Sequence, residues 1–175
     1  MKRILFSLIA FAFISTLSLT FESCQTDPCK NVTCGDHGQC FEGTCTCDVG
    51  YEKDSQGKCT VLSQTKFLGT YAVSELCGGQ TFNYTTTVTA STTDVTKILI
   101  KNLGNYDCST GEYFVIADIS GSSVTVPSQV VCSTTFSGSG TYDASSNKLV
   151  ISYSATYNPG TGTVTDNCTS TMTKQ

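Results

Sequence analysis

The stretch Leu149-Val150-Ile151-Ser152-Tyr153-Ser154-Ala155-Thr156-Tyr157 alternates inward-seeking and water-seeking side chains without a break. A period of two puts Leu149, Ile151, Tyr153, Ala155 and Tyr157 on one face and Val150, Ser152, Ser154 and Thr156 on the other, the pattern of a half-buried β-strand. The same beat recurs in Phe67, Gly69, Tyr71 and Val73, and again in Tyr113, Val115, Ala117 and Ile119. Near the end it is inverted: Thr163, Thr165, Asn167, Thr169, Thr171 and Thr173 form the polar row, with Val164, Cys168 and Met172 between them. No helical period appears after Phe67, and β-branched residues dominate, so the fold class is all-β.

Turn residues divide this region into eight strands, at about 66–76, 81–91, 94–102, 112–120, 122–127, 129–142, 147–157 and 162–173. Short connections and an even count let the last strand pair antiparallel with the first, which predicts an eight-stranded antiparallel up-and-down β-barrel. A two-sheet β-sandwich is the alternative, because its strands and turns have the same spacing. Gly138 and Gly140 mark a bend or bulge in the sixth strand. The inward set comprises Phe67, Tyr71, Val73, Ile98, Ile100, Tyr113, Val115, Leu149, Ile151 and Tyr153, whose bulk can fill a barrel of this size.

Alternating strand directions bring Cys77, Cys108, Cys132 and Cys168 to one end, together with the longer connections Asn102–Gly111 and Asn158–Gly162. Of the three possible pairings, barrel closure favours Cys77–Cys168, and Cys108 and Cys132 flank the short fifth strand. The two bridges then either stabilise a small core or shape a rim. At that rim Tyr106, Asp107, Tyr157 and Asn158 offer exposed aromatic and polar contacts of the kind interfaces favour.

The other cysteines form a second set. Cys29, Cys34, Cys40, Cys45, Cys47 and Cys59 are separated by four, five, four, one and eleven residues. Spacing alone permits fifteen connectivities. The order, with Gly50-Tyr51 shortly after Cys47, resembles an EGF-like module over residues 29–59. The resemblance implies the bridges Cys29–Cys40, Cys34–Cys45 and Cys47–Cys59. Such a segment has few large apolar residues (Val32, Phe41, Val49 and Tyr51), so bridges must supply what its core cannot, about 2–4 kcal/mol each. The approach Gln25-Thr26-Asp27-Pro28 carries one acid, which argues against a calcium site, and His37, in a tight loop, reads as a turn residue.

The eleventh cysteine is Cys24. Before it stand Lys2-Arg3, an apolar run from Ile4 to Ile14 and a small-polar stretch to Ser23, the character of an export signal. The segment resembles a bacterial lipoprotein signal peptide, in which Leu and two small residues precede the cysteine; here the three are Phe21-Glu22-Ser23. The resemblance implies lipidation of Cys24, which leaves ten cysteines to pair completely. The alternative is a plain secretory signal, with Cys24 free or paired between chains. The domain plan is thus a signal at 1–23, a lipid-anchored tether at 24–28, the EGF-like module, a linker at 60–66 and the barrel at 67–175. The apolar run is too short for a membrane span.

Phe67-Leu68-Gly69-Thr70-Tyr71 at the head of an all-β meander resembles the start of a small lipocalin (calycin-like) domain, where Gly-x-Trp is usual and Tyr71 here takes the aromatic place. The resemblance implies a barrel able to hold one small apolar ligand. A net charge of −4 argues against nucleic acid as a partner, which would want a basic patch. Absence of Cys-x-x-Cys pairs, with one histidine in the chain, argues against a structural zinc or other metal. No cofactor is implied. There is no catalytic constellation: the barrel has no histidine, and Asp94, Asp107, Glu112, Asp118, Asp143 and Asp166 scatter as solvated acids do. The expectation is therefore not an enzyme but an extracytoplasmic protein, lipid-anchored at an outer membrane or cell surface. Its rim would contact a surface protein, glycan or small ligand, with the EGF-like module as spacer. The alternative is a passive structural or adhesive lipoprotein.

The anchor has a direct check. Intact-mass measurement of the membrane-extracted protein should find Cys24 as an acylated N-terminus, and Cys24→Ser should leave the membrane fraction. An unmodified N-terminus elsewhere would refute lipidation.

Overall fold

The computed structural model describes residues 27–109 and 111–175. Cys24 and the signal segment 1–23 lie outside the described residues. Four short strands come first: β1 (Gly38–Phe41), β2 (Thr44–Cys47), β3 (Tyr51–Lys53) and β4 (Cys59–Leu62). They pair as two small antiparallel sheets, β1 with β2 and β3 with β4. The first hairpin turns at Glu42-Gly43, both at positive φ, which matches the right-handed twist of its strands. Cys59, fully buried, joins Cys47; Cys29 joins Cys40 and Cys34 joins Cys45. His37 stacks on Tyr51 with ring centroids 3.6 Å apart.

Eight further strands follow: β5 (Gly69–Cys77), β6 (Gln80–Ala90), β7 (Lys97–Lys101), β8 (Phe114–Ser120), β9 (Ser123–Val131), β10 (Thr134–Asp143), β11 (Lys148–Tyr157) and β12 (Val164–Lys174). Each pairs antiparallel with its sequence neighbour, and β12 pairs with β5, so the sheet closes on itself as a barrel. Closure leaves no sheet edge and excludes the sandwich. All ten residues of the expected inward set are buried, joined by Phe136, Tyr142 and Met172.

Two boundaries differ from those expected of the sequence. Residues 60–66, expected to be a linker, are ordered: they complete β4 and begin a 3₁₀ turn, Ser63–Phe67. That turn seals the lower end of the barrel. Buried Gln64 donates through Nε2 to the carbonyls of Asp94 and Lys97 (3.0 and 2.6 Å), and Tyr71 Oη donates to the Phe67 carbonyl at 2.7 Å. The disulfide-rich segment docks there too. Ser63 N donates to Gly50 O at 2.9 Å, Lys66 pairs with Glu52, and a Cβ at Gly50 would lie 2.6 Å from Val95 Cγ2.

The second difference lies at Pro127. The break expected near residue 128 is a bulge inside one strand, and the true turn is Cys132-Ser133, both at positive φ. The β9–β10 register shifts between Phe136 and Gly138, so that Pro127 and Ser128 together face Ser137. Proline has no N–H to give the ladder and is tolerated at such a bulge. Beyond it β9 leaves β8, whose paired positions stop at Asp118↔Thr125. Gln129 spans the gap with its carboxamide, accepting from Ile116 N at 2.9 Å and donating to Ile116 O at 2.7 Å. One side chain thus imitates a ladder peptide. Gln129→Ala should cost about 1–2 kcal/mol in denaturant unfolding, as two ladder bonds are lost, and should speed hydrogen exchange at the Ile116 amide. An unchanged Ile116 exchange rate would contradict this role.

Candidate functional site

The upper end, opposite the docked disulfide-rich segment, is built by the β7–β8 and β11–β12 connections. The first is held from inside. Tyr113, buried, donates through its hydroxyl to Leu103 O at 2.6 Å and accepts from Tyr106 N at 3.0 Å; Tyr113 N donates to Asn102 Oδ1 at 2.8 Å. Gly104 (φ 81°) passes so close that a Cβ there would lie 2.4 Å from the Tyr106 ring and 2.6 Å from Tyr153 Oη. Only glycine fits both constraints. Cys108–Cys132 ties this loop to the β9–β10 turn, and Cys77–Cys168 crosses the β5–β12 closure. The latter spans 91 residues, a loop whose closure removes about 4–5 kcal/mol of unfolded-state entropy.

The four rim residues come together. Tyr106, Asp107, Tyr157 and Asn158 line one cleft of about 510 Å³, with Ser109, Cys132, Ser133, Thr134 and Pro159. Asp107 and Asn158 are exposed; Tyr106 and Tyr157, expected to be exposed as well, are half-buried. The Tyr106 ring packs against Tyr157 (centroids 5.5 Å apart) and edge-on to Phe136 (5.7 Å), so the pair is a fixed wall. On the other side of that wall a second cleft of about 400 Å³ enters the mouth between Phe82, Tyr84 and Asp166 and reaches Glu75.

Glu75 is only 1% exposed, and its Oε2 accepts from Tyr84 Oη (2.9 Å), Tyr153 Oη (2.8 Å) and Ser170 Oγ. These donors come from three other strands and satisfy an acceptor that burial would otherwise strand. Glu75 is the next member of the inward row Tyr71, Val73, and Ser170 stands directly across the closure from it; continuing the row by two residues would have found it. Asp166, read from the sequence as a solvated acid, instead faces Ala155 on the inward side and accepts from Tyr106 Oη at 3.4 Å. Ligand-type atoms of Glu75, Cys77 and Cys168 lie within 4.8 Å of one another, but the two sulfurs are bonded to each other and offer a metal nothing.

The site favours neutral phenols. Burial, then the Glu75 charge, pushes Tyr84 and Tyr153 upward; burial, then Asp166, does so for Tyr106, and the bond to Asp166 raises Tyr157. Burial pushes Tyr113 up to about 12 and raises Tyr71 also. No protein-family model matches the chain, and no curated protein is significantly similar to it.

A raised phenol contributes stability that is fully present below its unfolded value near 10 and is lost as pH rises through the folded value. Absorbance titration at 295 nm should therefore leave Tyr71, Tyr84, Tyr106, Tyr113 and Tyr153 protonated about one unit above that value. Their release should coincide with unfolding. Reversible titration of these five tyrosines near pH 10 with the fold intact would contradict the burial described.

Proposed function

We propose that this chain is an extracytoplasmic binding protein, lipid-anchored through Cys24, that presents the open rim of a lipocalin-like barrel to a surface protein, glycan or small ligand. An EGF-like module at residues 29–59 serves as its rigid spacer. The observation that carries the reading is the single cleft shared by Tyr106, Asp107, Tyr157 and Asn158 at the end remote from the docked N-terminal segment. Five disulfides among the described residues suit an oxidising, extracytoplasmic home, and no described helix is long and apolar enough to cross a membrane. Several acyl chains would hold the protein stably at a bilayer.

Three features support rim recognition over the barrel interior or a passive role. Buried rings and aliphatic chains occupy the inward positions. The cleft volume falls in the range of small-ligand sites, about 300–1,000 Å³. Its aromatic wall is pre-formed, because Tyr106 is already fixed by Tyr113, Phe136 and Tyr157. A binder whose wall is ordered beforehand loses less affinity to ordering it.

The test is an amide-resonance map of the full chain titrated with a panel of mono- and oligosaccharides and small-molecule fragments. At least one should shift Asp107 and Asn158 saturably, and Tyr157→Ala should weaken it at least tenfold while retaining the wild-type fold. A panel that leaves both resonances unmoved would favour the passive structural reading.

A further inference from the structure

The cleft on the inner side of the Tyr106–Tyr157 wall has a chemistry of its own. Two carboxyl groups face it, Glu75 at its floor and Asp166 at its side. The ion pairs among the described residues are Lys66–Glu52, Lys97 with Asp94 and Asp118, and Lys101–Glu112; neither cleft acid takes part. Among the described residues no lysine or arginine lines the cleft. A buried carboxylate without a cation is costly unless something else compensates it.

Hydroxyl donors compensate half of Glu75. All three converge on Oε2, and among the described residues no donor reaches Oε1. That oxygen belongs to a side chain 1% exposed that nevertheless lines the cleft. The same cleft is lined by Phe82, Tyr84, Tyr106 and Tyr157. Phe82, directly across the strand pair from Glu75, is 48% exposed, a large apolar surface left at a mouth. Aromatic faces attract organic cations, and most strongly where water is excluded. They offer nothing to a hard metal ion, which wants a shell of oxygens.

We infer that this inner cleft binds an organic ammonium group, its charge directed to Glu75 Oε1 and Asp166 and its carbon substituents against Phe82 and the tyrosine wall. The inference goes beyond the rim-binding reading: it concerns the second cleft, across the Tyr106–Tyr157 wall, and stands or falls independently. A small free organic ammonium ion and a lysine side chain of a partner both present a cationic ammonium group, so both are probes.

Calorimetric titration of the full chain in a non-ionic detergent decides it, with benzyltrimethylammonium, N-acetyl-lysine methylamide and, as the neutral counterpart, benzyl alcohol. At least one cation should bind saturably and at least tenfold more tightly than the alcohol. Asp166→Asn and Glu75→Gln should each weaken it at least tenfold, and Asp143→Asn, at a turn on the opposite end, should not. Preference for benzyltrimethylammonium points to a small free quaternary ammonium ion; preference for the lysine amide points to a partner's side chain. Because Glu75→Gln could disturb folding, Asp166→Asn and Phe82→Ala, at half-buried and exposed positions, decide the outcome where its thermal unfolding changes. Absence of binding by both cations, equal binding of the alcohol, or an unaffected Asp166→Asn would overturn the inference. Asp107 and Asn158 lie outside this cleft, so their resonances judge the wider rim reading separately.

Discussion

A carboxylate inside a barrel must be hydrogen-bonded or it will not stay there. Glu75 meets that demand with donors from β6, β11 and β12, and each donor then constrains something further. Tyr84 accepts from Gly104 N at 2.9 Å, which fixes the β7–β8 connection over the mouth. Ser170 lies across the closing β12–β5 pair, so the bond is also a lock on closure. Tyr153 packs against Phe136, which in turn contacts Tyr106 and Tyr113. The wall that divides the two clefts is therefore positioned from one buried oxygen. Bonds in such a network support one another in the low-dielectric interior, so losing one donor weakens the rest.

The two ends of the barrel are specialised by composition. The lower end is sealed by Phe67, Gln64 and Tyr71, and receives the disulfide-rich segment through Gly50 and Val95. Its acids sit in turns and accept from their own neighbours: Asp143 from Ser145 and Ser146, which holds it down to about 2, and Asp94 from Thr96. The upper end keeps polar and aromatic groups around two clefts, among them Glu75, whose Oε1 accepts no hydrogen bond from the described residues. A sealed lower end and a disulfide-stapled upper end that carries the two clefts suit a displayed binding surface.

The closed barrel was legible in the alternation of Leu149–Tyr157 and its echoes, because half-buried strands must repeat every two residues. The inward set was legible for the same reason. Glu75 was hidden by its charge: a search for apolar rows stops at Val73, although the row continues through Glu75 to buried Cys77. Asp166 was hidden likewise within a Thr-rich strand. Pro127 misled because proline signals both turns and bulges, and only the Gln129 carboxamide that repairs the ladder distinguishes them. The half-burial of Tyr106 and Tyr157 depends on their packing on each other and of Tyr106 on Phe136, which no local pattern carries.

The most direct measurement of how the mouth is organised is a double-mutant cycle on Glu75→Gln and Tyr153→Phe, read by denaturant unfolding. If Glu75 organises it, the two substitutions should be strongly non-additive, with a coupling of about 1–3 kcal/mol, the upper part of the range for residues in one hydrogen-bond network. Tyr106 should loosen from Phe136 and Tyr157 in either variant. Additivity within about 0.3 kcal/mol, with the Tyr106 ring still in place, would contradict it.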